Sequence, residues 1–232
     1  MRVGMFDSGI GGLTVLNSFL KYHPNNEYIY YGDTLNVPYG TKTKEELFEL
    51  STKIIRFLEN KNVDIIVIAC GTVSSNIYEK LKEITSIPIY SIISELPEYI
   101  EKNNYKNILA LATQATINTH VFKNTLKSNV IEVACPKLVP LIEEKNEEKL
   151  SEVIKEYLVD ADKVDSIILG CTHYPLIRKI IEKNINQNID IIELGELLAQ
   201  KIKIKESFQN IELYFSMETE KLRENIQDIL SF

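Results

Sequence analysis

The sequence predicts an α/β protein made of two similar parallel-sheet domains, with its site in the cleft between them. Three observations carry that expectation. Short β-rich apolar runs alternate with amphipathic segments along the chain, the order that builds a parallel sheet. The runs are continuously apolar more often than alternating, as in strands buried on both faces. Two stretches, "DIIVIAC" at Asp64–Cys70 and "DSIILGC" at Asp165–Cys171, repeat one pattern 101 residues apart.

The expected strands, in order, are 2–6, 28–32, 64–69, 88–92, 107–112, 130–134, 166–170, 189–194 and 211–215. Between the second and third, Leu47, Leu50, Ile54 and Leu58 recur at helical spacing, and Thr43 with Glu46 three residues on fits a capping box. Pro175 stands where a helix would begin, a position at which its missing N–H costs nothing. The starts of the two halves echo each other, "VGMFDSG" at 3–9 and "ILALATQ" at 108–114. The expected division is residues 1–92 plus 195–232 as one domain, carrying Asp7, Ser8 and Cys70. Residues 93–194 form the other, carrying Cys171 and His173.

Length and charge narrow the function. A chain of 232 residues suits one large α/β domain or two small ones. A net charge of -7 argues against a nucleic-acid or anionic-membrane partner, since both select a basic face. A small anionic substrate remains compatible, because it feels the local pocket. The start of the chain lacks the long apolar core of an export signal, and no run is long enough to span a bilayer. The three cysteines are widely spaced and odd in number, which fits a reduced, cytoplasmic protein with free thiols.

The candidate chemistry gathers at strand tips, where ligands of such sheets bind. Cys70 and Cys171 each end a strand and precede a helix, and each has a hydroxyl residue nearby. A helix N-terminus favours a thiolate. Asp7 and Ser8 end the first strand and open a glycine turn whose amides could hold an anion. Pro38, Tyr39 and Gly40 form a turn after the second strand. His173, two residues past Cys171, is placed to tune that thiol. Cys135, in "EVACPKL", reads as a structural strand end. A metal or redox centre of Cys70, Cys171, His173 and Asp7 lacks close ligand spacing, so no metal is expected.

Together, "VGMFDSGIGGLTVL", "YGDTLNVPYGTKT", "IVIACGTVSSN" and "ILGCTHYPLI" resemble the bacterial glutamate racemase family, of the cofactor-independent aspartate/glutamate racemase superfamily. "LATQATI" and "CPKLVPLIE" are similar as well, whereas the C-terminal part matches loosely. The resemblance implies two pseudo-symmetric α/β domains, a homodimer, no cofactor, and inversion of L-glutamate to D-glutamate for peptidoglycan. It implies Cys70 and Cys171 as the acid–base pair, with Asp7 and His173 assisting. Its substrate-contact positions fall on Asp7, Ser8, Pro38, Tyr39, Gly40, Gly71, Thr72, Thr113, Thr116, Glu143, Thr172 and His173. One position departs: the family usually reads Ala-Cys-Asn-Thr, and here Gly71 replaces the asparagine. Loss of one hydrogen bond to a charged group costs about 1.5–3 kcal/mol, so weak activity, an altered substrate preference and a water in the amide's place are all open there. A racemase of another amino acid, such as aspartate, and a non-catalytic glutamate-binding homologue are the alternatives.

Overall fold

The computed structural model describes residues 1–230. Ser231 and Phe232, the end of the span assigned above to the first domain, lie outside the described residues. Nine strands form among the described residues, each ending within one residue of its expected span. They are β1 (Arg2–Asp7), β2 (Glu27–Gly32), β3 (Ile65–Ile68), β4 (Ile89–Ser91), β5 (Asn107–Ala112), β6 (Asn129–Ala134), β7 (Ser166–Leu169), β8 (Asp190–Glu193) and β9 (Asn210–Phe215).

The strands make two sheets, ordered β4-β3-β1-β2-β9 and β6-β5-β7-β8, and every pairing is parallel. Read from the other edge, the second sheet is β8-β7-β5-β6, the order of β4-β3-β1-β2. The register agrees too. Val3 faces Ile65 across β1 and β3, and Ile108 faces Ser166 across β5 and β7. The internal repeat is therefore a repeat of topology. β9 returns from the C-terminal segment to pair with β2, Glu27 opposite Asn210.

The central strands β1, β3, β5 and β7 are buried on both faces, which explains why they read as unbroken apolar runs. Side chains alternate across a strand. Val3, Met5, Ile108 and Ala110 enter one continuous apolar layer shared by the two sheets, together with Leu13, Leu16 and Phe19 of helix Leu13–Tyr22 and Leu194 and Leu198 of helix Leu194–Lys201. Phe6, Ile66 and Ile68 face a second cluster under helices Lys44–Asn60 and Gly71–Lys82. Leu109, Leu111, Ile167 and Leu169 face a third. The capping box at Thr43 forms as expected: its hydroxyl accepts from the Glu46 N–H, and the Glu46 carboxylate accepts from the Thr43 N–H at 2.8 Å.

After Cys171 the chain differs from expectation. Instead of an α-helix opening at Pro175, Tyr174–Ile177 form a 3-10 turn, and a short helix, Arg178–Glu182, follows. The Tyr174 and Leu176 N–H groups bond three residues back, to Cys171 and His173, which tightens this turn.

The turn after β1 is held from beneath. The buried Tyr30 hydroxyl donates to the Gly9 carbonyl at 2.7 Å. Tyr30→Phe leaves that carbonyl without its donor and is expected to destabilise the protein by about 1–3 kcal/mol. Urea unfolding checks this, with a lowered midpoint and an unchanged slope as the outcome.

Candidate active site

A cavity of about 500 Å³ lies where the carboxyl ends of the two sheets converge. That volume is in the range of small-molecule sites. The first sheet contributes Ser8 after β1, Pro38, Tyr39 and Gly40 after β2, and Cys70, Gly71 and Thr72 after β3. The second contributes Thr113 after β5, Cys135 after β6, and Cys171, Thr172 and His173 after β7, with Glu143 nearby. Of the residues singled out in the sequence, Asp7 and Thr116 alone are absent from this wall. Both are fully buried behind it.

Cys70 caps the N-terminus of helix Gly71–Lys82. The sequence led us to expect a thiolate favoured by the helix dipole. The surroundings reverse that balance: burial pushes the Cys70 thiol up to about 12, and the charge of Asp7 adds to it. The Val73 N–H and the Ser8 side chain act the other way and are outweighed. Asp7 itself is held by the turn it opens, with Oδ2 accepting from the Gly9 and Gly12 N–H groups at 3.1 and 3.0 Å. Its Oδ1 is buried and makes no hydrogen bond among the described residues.

Cys171 has a different neighbourhood. Its Sγ lies 3.9 Å from His173 Nδ1, and His173 Nε2 lies 3.0 Å from Glu143 Oε1. Burial disfavours the imidazolium, but the bonds to Cys171 and Glu143 outweigh it and raise the His173 pKa to about 10. The imidazole is thus clasped between a sulfur and a carboxylate, both of which favour its protonated form. Gly11 makes room for the ring: a β-carbon there would lie 2.4 Å from His173 Nδ1.

Two further groups shape the site without having been read from the sequence. Asp33, buried just past β2, accepts from the Tyr39 hydroxyl at 2.6 Å, from the Ser216 hydroxyl at 2.7 Å and from Asn36 Nδ2. It fixes the 38–40 turn, whose Val37–Pro38 peptide is cis. Cys135, read as structural, is buried and lines the cavity; burial raises its pKa to about 12. Thr116 acts at one remove, its Oγ1 3.0 Å from Thr113 Oγ1, which lies 3.1 Å from Thr72 Oγ1 across the cleft. No group of three or more His, Cys, Asp or Glu among the described residues is arranged to hold a metal ion, and no described helix is long and apolar enough to cross a membrane.

Two α/β halves that share one cavity, bordered by Cys70 from one and by Cys135 and Cys171 from the other, define a protein with a small-molecule site between its halves. The comparisons with known proteins agree. The Asp/Glu/Hydantoin racemase family matches residues 21–202. The glutamate racemase of Aquifex aeolicus is 38% identical over 99% of this chain and 94% of its own. That of Fusobacterium nucleatum is 42% identical over 87% of this chain and 81% of its own. The crystal structure of glutamate racemase from Campylobacter jejuni superposes with a TM-score of 0.91 at 30% identity, covering 100% of this chain and 99% of that one. The chain belongs to the Asp/Glu/hydantoin racemase family and is an amino-acid racemase, an isomerase.

Glu143→Gln removes the charge that helps hold His173 protonated. The His173 titration, followed by NMR, is expected to move down from about 10 toward its ordinary value of 6.5. The raised pKa favours the fold, so its contribution is full below pH 6.5 and is lost as the pH rises through about 10. Thermal unfolding across that window should show the loss in the parent chain and a smaller one in Glu143→Gln.

Proposed function

We propose that the chain inverts the α-carbon of glutamate, L to D, without a cofactor, using Cys70 and Cys171 as an acid–base pair. One observation carries this: thiols from the equivalent strands β3 and β7 border a single cavity of substrate size. The named relatives that cover most of the chain support glutamate as the substrate. The α-proton of an amino acid is a very weak acid. A pyridoxal cofactor would spread the resulting charge but needs a lysine for its Schiff base, and the described residues of this wall include none.

Inversion requires one thiolate and one thiol on opposite faces of Cα. In the L-to-D direction Cys171, beside His173, is assigned the base, and Cys70, whose thiolate burial disfavours, the acid. Cys171 takes the α-proton of L-glutamate, breaking the Cα–H bond. Cys70 delivers its own proton from behind, and D-glutamate leaves a thiolate at Cys70 and a thiol at Cys171. The reverse direction exchanges the roles. In the D-to-L direction, where Cys70 is the base, Asp7 takes the proton of the Cys70 thiol on its unpartnered Oδ1.

Thr72, Thr172 and the Gly71 amide hold the α-carboxylate. Ser8, Tyr39 and Gly40 hold the side-chain carboxylate, with Pro38 shaping the turn, and Thr113, set by Thr116, completes the wall. D-Glutamate so formed supplies peptidoglycan, and the enzyme works in the cytoplasm as a homodimer. Each protomer divides into residues 1–92 with 195–232, and residues 93–194.

Replacing either Cys70 or Cys171 with alanine is expected to lower racemisation in both directions by about 10²–10⁴-fold or more, the usual contribution of a positioned acid or base. Circular dichroism with pure L- and D-glutamate measures it. Activity surviving in both variants would refute the assignment.

A further inference from the structure

The turn at Pro38, Tyr39 and Gly40 is tied to a strand that lies far from it in the chain. β2 and β9 pair in parallel as far as Gly32 opposite Phe215, and the Ser216 N–H donates to the Gly32 carbonyl at 3.1 Å. Beyond that point the strand ladder ends and hydroxyls continue it. Ser216 Oγ donates to Asp33 Oδ1 at 2.7 Å and accepts from the Leu35 N–H at 2.9 Å. Thr34 Oγ1 donates to the Met217 carbonyl at 2.5 Å and accepts from the Met217 N–H at 3.1 Å. Each segment supplies one hydroxyl that serves the other as both donor and acceptor.

These bonds locate residues 33–37, because apolar burial does little there. Leu35 and Val37, the apolar side chains of the loop, are 59% and 47% exposed. Asp33 carries the tie onward. Its Oδ2 accepts from the Tyr39 hydroxyl at 2.6 Å, so its two oxygens join Ser216 on one side to the turn on the other. The Tyr39 ring is buried in the cluster that holds Phe6, Ile68 and Cys70. With its hydroxyl proton committed to Asp33, what the turn offers an anion in the cavity is main-chain N–H. The placement of those amides follows from Asp33, and that of Asp33 from Ser216.

We propose that Ser216 is a positioning residue for substrate binding: through Asp33 and Leu35, its hydroxyl sets the turn that receives the side-chain carboxylate. The proposal rests on the reaction assigned above. Ser216 is not part of the cavity wall, so it acts through the turn and not on the substrate. A turn that is in place only part of the time lowers the apparent affinity by that fraction. The loss falls on ground state and transition state alike, so it raises KM and leaves kcat.

The test measures racemisation of L- and D-glutamate, and amide hydrogen exchange, in the parent chain, Ser216→Ala and Thr34→Val. The expected result in Ser216→Ala is a KM about tenfold higher, the factor carried by one hydrogen bond to a charged group, with the kcat of the parent. Thr34→Val breaks the other half of the tie and raises KM in the same way. In both variants exchange speeds up in residues 33–40, while β1 and β3 exchange as in the parent. An unchanged KM overturns the proposal, as does a fall in kcat at constant KM, the mark of lost folded protein. Unchanged exchange in residues 33–40 overturns it too. Should the parent chain leave both enantiomers of glutamate unchanged, the assigned reaction fails, while exchange in Ser216→Ala still decides whether this hydroxyl holds the turn.

Discussion

Everything at the site depends on the apolar layer that the two sheets share. Val3, Met5, Ile108 and Ala110 reach into one cluster from opposite sheets, and helices Leu13–Tyr22 and Leu194–Lys201 fill it between them. Burial of this continuous layer, at roughly 25 cal/mol per Å² of apolar surface, joins the halves with their carboxyl edges converging. Equivalent strands in the two halves then end at one cavity. A chemistry that needs two groups on opposite sides of one atom is what such pseudo-symmetry supplies directly.

The halves match in topology but not in electrostatics. Cys70 sits against a buried carboxylate, in surroundings that disfavour its thiolate, whereas Cys171 sits beside an imidazole whose protonated form Glu143 and the sulfur favour. The repeat delivers the two sulfurs, and residues that differ between the halves make them unequal. Asp7 ends β1, and Glu143 comes from a segment between β6 and β7. The proposed inversion needs the two sulfurs in opposite protonation states, and their exchange during turnover would let one site serve both enantiomers.

The central strands were legible because they are buried on both faces, so hydrophobicity alone marks β1, β3, β5 and β7. The cysteine pair was legible because the repeat sets Cys70 and Cys171 at equal distance from their strands. Asp33 was not, since its task arises from the folding-over of the 38–40 turn and from Ser216 in the distant C-terminal segment. Cys135 was read as a strand end, which it is, but the cavity wall it joins exists only once the two sheets meet. The local expectation of an activated Cys70 failed because a helix dipole is weaker than full burial next to a carboxylate. Gly71 was read by what its side chain lacks, and nothing in the sequence signalled that a β-carbon there would lie 2.4 Å from the Gly170 carbonyl oxygen.

The most direct measurement is incubation of the protein with L-glutamate in deuterated water, following configuration and the Cα label together. Two opposed thiols predict that newly formed D-glutamate carries a solvent deuteron from its first appearance, while the remaining L-glutamate is still unlabelled. Deuterium entering the L-glutamate pool as fast as D-glutamate forms would mean one group working from a single face, and D-glutamate formed without label would mean that no solvent-exchanging thiol delivers the proton; either contradicts the account.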